Sequence, residues 1–379
     1  MKIQFITNVL TPYRIYFFDI LNSVLENRGG MLEVLVMMKP DHNMYWNYYD
    51  YERRYTKLLP VKYIKDKSDY FFNFKLSEFI QDFKPNVIVG CGAYWYPTIL
   101  SALKYCKKNN IKFIYWSESN KIKFIDKKGL KYQFRESIRK YSYKRMDGFI
   151  YPGKHALELI KDYNQNPTFL FQLPNLVNSD KYAFFDEQKE KLRDELGIAK
   201  EKLALFCPAR LSQEKGIIPF LEIYAKSELK EYSQIYIAGK GPDEKLIKNY
   251  ISAHNLNVNL LGYVTEEIMI KYYHACDFFL LPSLSDPSPL SCIEALWSGL
   301  PLILSSSVGN LPEALIDGEN GFSFNYLNDN ETIHMLNQLP NLFNSEWYIR
   351  AKEKCLKLAK LNFDPQQKTA ELIEKLNGI

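Results

Sequence analysis

Two short apolar runs, Phe278–Leu281 and Leu302–Leu304, bracket a turn-rich loop, a helix and a Gly-x-Pro stop, and that order leaves few folds open. Runs this short and this apolar, bounded by turn residues, read as strands buried on both faces of a parallel sheet. Ser283 to Pro289 has loop composition, and Leu290–Trp297 has helical spacing that Gly299 and Pro301 end. The unit is therefore strand, crossover helix, strand. Asp286 falls on the loop at the carboxyl end of the first strand, and Glu294 falls inside the helix. In open α/β sheets ligands bind at that edge. Two carboxylates beside a helix N-terminus suit a ligand with hydroxyls at one end and phosphates at the other.

The same rhythm runs through the chain. Strands are expected at Ile3–Ile6, Leu32–Met37, Val87–Val89, Phe113–Trp116, Phe149–Tyr151 and Phe169–Phe171, with amphipathic segments between them. It resumes at Leu203–Cys207, Ile235–Ala238, Val258–Leu261, Phe278–Leu281 and Leu302–Leu304. The charge-rich stretch 177–202 divides the two series and reads as a linker. A chain of 379 residues has room for two or three domains. The pattern predicts two doubly wound α/β domains.

A net charge of +5 is too mild to imply nucleic acid, and no nucleic-acid motif accompanies it. The six cysteines are scattered without framework or CxxC spacing, which predicts reduced, buried thiols. Two uncharged runs, Pro85–Leu103 and Ala295–Pro312, approach membrane-span length, but Gly, Pro, Asn or Ser break each where a strand would meet a turn. They read as buried α/β core. The opening MKIQFITNVLTPYR is an apolar strand and a polar turn, without the pattern of a signal peptide. The expected location is cytoplasmic, with a peripheral position on the inner membrane face as an extension.

The stretch around the two acids carries a longer pattern. Asp286, seven residues, Glu294, then Ala295-Leu296-Trp297-Ser298-Gly299-Leu300-Pro301 resembles the Glu-x7-Glu signature of retaining GT-B glycosyltransferases. Val308-Gly309, Pro312-Glu313 and Gly318-Glu319-Asn320-Gly321 extend the likeness to the family 4-like, or group 1, glycosyl transferases. Ala209-Arg210-Leu211-Ser212-Gln213-Glu214-Lys215-Gly216 resembles that family's Gly-Arg-Leu-x-x-x-Lys-Gly, and Gly239-Lys240-Gly241-Pro242 its Gly-x-Gly-Pro turn. Pro174-Asn175-Leu176-Val177-Asn178 is similar to the family's entry to the second domain.

The resemblance implies a fold of two Rossmann-like doubly wound domains facing a central cleft. Residues 1–180, completed by a returning C-terminal helix within 362–379, would bind acceptor, and residues 181–361 would bind a UDP- or GDP-linked sugar. It implies a hexosyltransferase-type enzyme that moves the sugar, with retention, to a hydroxyl of a glycan or lipid-linked acceptor in cell-surface polysaccharide synthesis. Arg210 and Lys215 would hold the diphosphate. Cations preorganised in a dry site stabilise a leaving diphosphate, and with no Asp-x-Asp pattern or His/Cys cluster no metal or other cofactor is expected. Glu294 would accept from ribose hydroxyls and Asp286 from sugar hydroxyls. Ser288, Leu290 and Ser291 would offer N–H groups. Gly239 and Gly241 would let backbone pass close to the nucleotide, and Gly262, Tyr263 and Val264 would meet its base.

Three features depart from the family pattern. Asp286 is one methylene shorter than Glu, and Pro287 and Pro289 have no N–H to give. No glycine stands in Thr7–Arg14, where many members carry a Gly-rich loop. In this Pro-Tyr-Arg form, Arg14 would point into the cleft with Asn8 near it; a surface arginine is the alternative. Glu118, past the strand ending at Trp116, is a hydroxyl ligand or a helix cap. His274 is expected to pack against the sheet. Between Lys121 and Arg145 ten Lys or Arg alternate with Phe, Ile, Leu and Tyr against two acids. That face fits an anionic membrane surface, worth roughly 1 kcal/mol per cation, or a merely solvated helix. The competing functions are a GT-B nucleotide-sugar epimerase and a non-catalytic sugar-nucleotide-binding protein.

Overall fold

The computed structural model describes residues 1–39, 52–63, 71–119, 129–183 and 188–379. The chain divides into two compact units, Met1–Leu176 with Pro365–Ile379, and Val177–Asp364.

Unit 1 is built on β1 (Lys2–Thr7), β2 (Met31–Val36), β3 (Thr56–Leu58), β4 (Val61–Tyr63), β5 (Phe71–Asn73), β6 (Val87–Cys91), β7 (Lys112–Trp116), β8 (Gly148–Tyr151) and β9 (Phe169–Gln172). Seven of these form a parallel sheet in the order β3-β2-β1-β6-β7-β8-β9, while β4 and β5 pair antiparallel apart from it. Alternate residues face opposite sides, as the period of a strand requires. Ile3 and Phe5 join one core with the helices Pro12–Asn27 and Pro365–Asn377. Ile6, Leu35, Ile88 and Phe113 join the other, beneath Leu76–Phe83 and Pro97–Asn109. Strands covered on both faces are apolar at most positions, which is why they were legible as short runs; where β1 and β2 bury Gln4 and Glu33, the amide donates to the carboxylate at 2.8 Å.

Unit 2 repeats the plan with β10 (Leu203–Pro208), β11 (Ser233–Ala238), β12 (Val258–Gly262), β13 (Phe278–Leu281), β14 (Leu302–Ser305) and β15 (Gly321–Phe324). All are parallel, in the order β12-β11-β10-β13-β14-β15. One face is covered by Glu266–Ala275, Leu290–Trp297 and Glu346–Phe363, the other by Ile217–Tyr224 and Asp329–Phe343.

In each sheet the chain starts in the middle and reverses direction beside its first strand. Between β1 and β6, and again between β10 and β13, the strand order switches, which is the place at the carboxyl edge where open α/β sheets take their ligands.

The stretch expected as a linker is a structured part of unit 2. It carries the helices Ser179–Tyr182 and Lys189–Leu196, with residues 184–187 outside the description. Its charges have buried work: Lys189 and Arg193 both donate to Asp277, at 2.6 and 3.0 Å, and Ala204 N–H donates to the same carboxylate. A buried carboxylate needs such partners, and they fasten the helix to β10 and β13. All six cysteines are unpaired and buried. No described helix is long and apolar enough to cross a membrane.

Candidate functional site

The crevice of unit 2 is bounded by the loops after β10 and β13. Gly216 ends the first loop with φ +63°, and a Cβ there would stand 2.1 Å from the carbonyl oxygen of Pro282. Only glycine fits that approach. Tyr326 donates its hydroxyl to the carbonyls of Gly216 (3.1 Å) and Pro282 (2.5 Å), clamping the same two loops. The N–H groups of Leu284 and Ser285 donate to the Glu214 carbonyl. Ser212 donates to the Glu214 carboxylate, which together with the nearby cations Lys215 and Arg210 holds it below the usual range against some burial.

This joined frame presents Lys215 to Asp286, Nζ to Oδ2 at 2.5 Å. Asp286 is buried. Its backbone pairs with Val308, and its carbonyl accepts from Gly309 N–H. A Cβ at Gly309 would lie 2.1 Å from the Pro287 carbonyl. Two of the expected residues, 71 positions apart, thus meet in one ion pair. Arg210 stands exposed on the same loop as Lys215.

Glu294 lies in the middle of Leu290–Trp297, half-buried. Its Oε1 accepts from Tyr182 at 3.1 Å and its Oε2 from Tyr273 at 2.7 Å. Burial raises its pKa, while the two tyrosine hydroxyls oppose that rise. Neither tyrosine was expected at the site. The helix opens at Pro289 with no side-chain cap, so its first N–H groups are not used by a cap. Leu290 and Ser291 are half-buried there and Ser288 is buried.

Gly239 and Gly241 follow β11, and each lies close against a neighbouring stretch of backbone. A Cβ at Gly239 would stand 2.0 Å from the Ala209 carbonyl, and one at Gly241 2.1 Å from that of Leu211. The protein's own neighbouring loop already requires them. Gly239 N–H donates to Gly262, at the end of β12. Tyr263 is exposed and Val264 leans on the core. Thr265 takes the N-cap position, but its side chain makes no capping bond. His274 is buried against the carbonyl of Tyr182, at 3.3 Å, and burial lowers its pKa.

Unit 1 gathers a second group at the end of β1. Arg14 is buried, not on the surface. It donates to Thr7, to Asn8 Oδ1 (3.1 Å) and to Glu118 Oε2 (2.7 Å), with its guanidinium 5.7 Å from the Trp116 ring. Tyr13 adds a hydroxyl bond to Glu118 Oε1 at 3.3 Å. Glu118 is therefore partnered by side chains of the first helix, with its carboxylate still partly exposed. Within the basic segment, the helix Leu130–Tyr143 exposes Phe134 and Tyr141. Arg135 stacks on Trp95 at 4.3 Å and Arg139 on Tyr94 at 4.6 Å. The cations at 121, 123, 127 and 128 lie outside the described residues.

Comparison with known proteins places this geometry in context. Residues 188–341 match the family model described as glycosyl transferases group 1. An alpha-monoglucosyldiacylglycerol synthase from Acholeplasma laidlawii is 31% identical over 156 residues, covering 40% of this chain and 38% of that protein. A glycogen synthase from Lachnospira eligens is 28% identical over 229 residues, covering 55% and 47%. The chain thus spans less than half the length of these curated relatives. Among solved structures, Anabaena Alr3699/HepE in complex with UDP aligns over 100% of both chains with a TM-score of 0.76 and 15% identity. Sucrose-phosphate synthase from Thermosynechococcus elongatus aligns over 100% of this chain and 98% of its own, TM-score 0.75, 16% identity. The fold is that of the GT-B glycosyltransferases, and the resemblance drawn from the motifs stands.

Proposed function

We propose that this protein is a retaining glycosyltransferase that moves a sugar from a UDP- or GDP-linked donor to a hydroxyl of a glycan or lipid-linked acceptor. The observation that carries the reading is the Lys215–Asp286 pair, held by glycine-shaped loops at the carboxyl edge of unit 2, with Arg210 exposed beside it.

In this reading Lys215 and Arg210 take the donor diphosphate. As the bond from the anomeric carbon to the phosphate oxygen breaks, charge gathers on that oxygen, and fixed cations favour the transition state. The acceptor oxygen forms the new bond on the same face, and its proton passes to the released phosphate. Asp286, given up in part by Lys215, accepts from sugar hydroxyls, and Glu294 from the ribose. The N–H groups opening Leu290–Trp297 face the negative end of the donor. Glu118, oriented by Arg14 and Tyr13, takes a hydroxyl in unit 1. The exposed Phe134 and Tyr141 beside Arg135, Lys140, Lys144 and Arg145 suit an anionic lipid surface.

A panel of nucleotide sugars read by thermal shift tests the reading, since a ligand at 100 times its Kd adds about 2.7 kcal/mol. The expected result is selective stabilisation by one sugar and one base, followed by transfer of that sugar with its anomeric configuration kept. No stabilisation by any UDP- or GDP-sugar would refute the reading. For the surface, co-sedimentation with anionic vesicles but not with neutral ones is expected, and equal recovery from both would remove that element alone.

A further inference from the structure

We infer that Tyr182 and Tyr273 are positioning residues that set Glu294 to recognise the paired ribose hydroxyls of a nucleotide. The inference rests on the donor reading above.

An ionised carboxylate offers about four lone-pair positions. Tyr182 fills one on Oε1 and Tyr273 one on Oε2. Among the described residues one position on each oxygen remains, which matches two adjacent hydroxyls and leaves a single hydroxyl half-satisfied. The donors come from different elements, Tyr182 from Ser179–Tyr182 and Tyr273 from Glu266–Ala275, so the carboxylate is held from two directions. Both rings are fixed in turn. They meet edge-on at 5.9 Å, and Tyr273 packs edge-on against Phe206 at 5.0 Å. Tyr273 also reaches the Ser291 carbonyl at 3.2 Å, and His274 anchors the Tyr182 carbonyl.

Among the described residues no cation is paired with Glu294; its partners there are neutral hydroxyls. Burial raises its pKa, and Glu266 at the start of the neighbouring helix pushes the same way, although Lys181 pairs with Glu266 at 2.7 Å. Burial also raises Tyr273's own pKa, so it stays a donor. On the side of Glu346–Phe363, Cys355 stands near Cys292 as an uncharged thiol pushed up to about 12. The tyrosine hydroxyls are thus the groups that oppose the rise. Each one removed should raise its pKa further, and binding that needs the carboxylate should then fail at a higher pH.

The test uses the full chain, with UDP and GDP against their 2′-deoxy forms, titrated calorimetrically from pH 5 to pH 8. The wild type should favour the ribonucleotide about tenfold or more, the worth of a hydrogen bond to a charged group. Tyr273→Phe and Tyr182→Phe keep the rings and should fold. Each should lose most of that preference and move the acid limb of binding to higher pH. In a Glu294→Gln background the limb should vanish and the tyrosine substitutions should cost little more. Preference and acid limb unchanged in both Phe variants would overturn the inference while leaving the donor reading intact. A wild type that binds neither nucleotide would remove both.

Discussion

The loop after β1 and the loop after β10 occupy the same place in two sheets of like strand order, yet they are made differently. In unit 2 the crevice is shaped by absent side chains. Gly216, Gly239, Gly241 and Gly309 each let a carbonyl approach to within 2.1 Å of where a Cβ would be. In unit 1 no glycine lies in the first loop, and Thr7, Asn8, Arg14 and Glu118 fill the corresponding space with hydrogen-bonded side chains. The cations differ accordingly. The Arg14 side chain is 4% exposed and committed to a carboxylate, whereas Lys215 is 22% exposed and Arg210 lies open. A cation on a rigid, open loop can exchange its partner for an incoming anion. One sealed under a helix can only orient the acid beside it.

The sharpest way to break this contrast is to remove the exchangeable cations. Lys215→Ala and Arg210→Ala should each lower turnover about 100- to 1000-fold, the usual cost of one preorganised charge-stabilising donor. Nucleotide binding should weaken less than turnover. The check is steady-state kcat and KM beside nucleotide titration, and unchanged rates in both variants would place the diphosphate elsewhere. Next in size are the glycines. Gly216→Ala adds a Cβ against the backbone of Pro282 at φ +63°, and should cost about 2–4 kcal/mol and slacken the clamp to Tyr326. In unit 1, Gly92→Ala, in the loop after β6, meets side chains and no backbone, Asn8 at 3.3 Å and Tyr96 at 3.5 Å, with φ +108°. That substitution should cost about 1–2 kcal/mol. Denaturant melts of both variants measure the difference; equal losses would mean that the loops are not built differently after all.

What could be read from the sequence follows from how local each signal is. Buried parallel strands announce themselves as apolar runs, and Phe278–Leu281 and the helix Leu290–Trp297 have the expected bounds. The strands β3, β4 and β5 were not legible, because they are three residues long and partly exposed, too short for even Phe71-Phe72 to stand out as a strand. The stretch 177–202 looked like a linker since its charges signalled solvent. Lys189 and Arg193 instead meet Asp277, 88 and 84 residues away, and no local pattern encodes such a meeting. The same distance hid the tyrosines: Tyr182 is 112 residues from Glu294. The glycine turns were visible as motifs, but their cause, a neighbouring carbonyl, belongs to tertiary structure.

The two glutamates sharpen the comparison at the smallest scale. Glu118 neutralises a buried guanidinium, so Glu118→Gln leaves Arg14 without its counter-charge. Because Glu118 is about one-third exposed, water can replace part of what is lost, and the cost should be about 1–2 kcal/mol. Among the described residues Glu294 neutralises no cation. Its pKa in the folded protein is raised, so the proton is held more tightly there than in the unfolded chain. Its contribution to stability is therefore full below the ordinary carboxylate pKa, and is lost as the pH rises through the raised value. Glu294→Gln removes that buried charge and should leave the nucleotide-free protein at neutral pH as stable as the wild type, or up to about 1 kcal/mol more stable. The gain should fade toward pH 4, where the wild-type carboxyl is itself protonated. Thermal melts of both variants between pH 4 and pH 8 decide the matter. A Glu294→Gln variant that is destabilised at every pH would mean that the carboxylate is held as tightly as Glu118, and that the two units treat their acids alike.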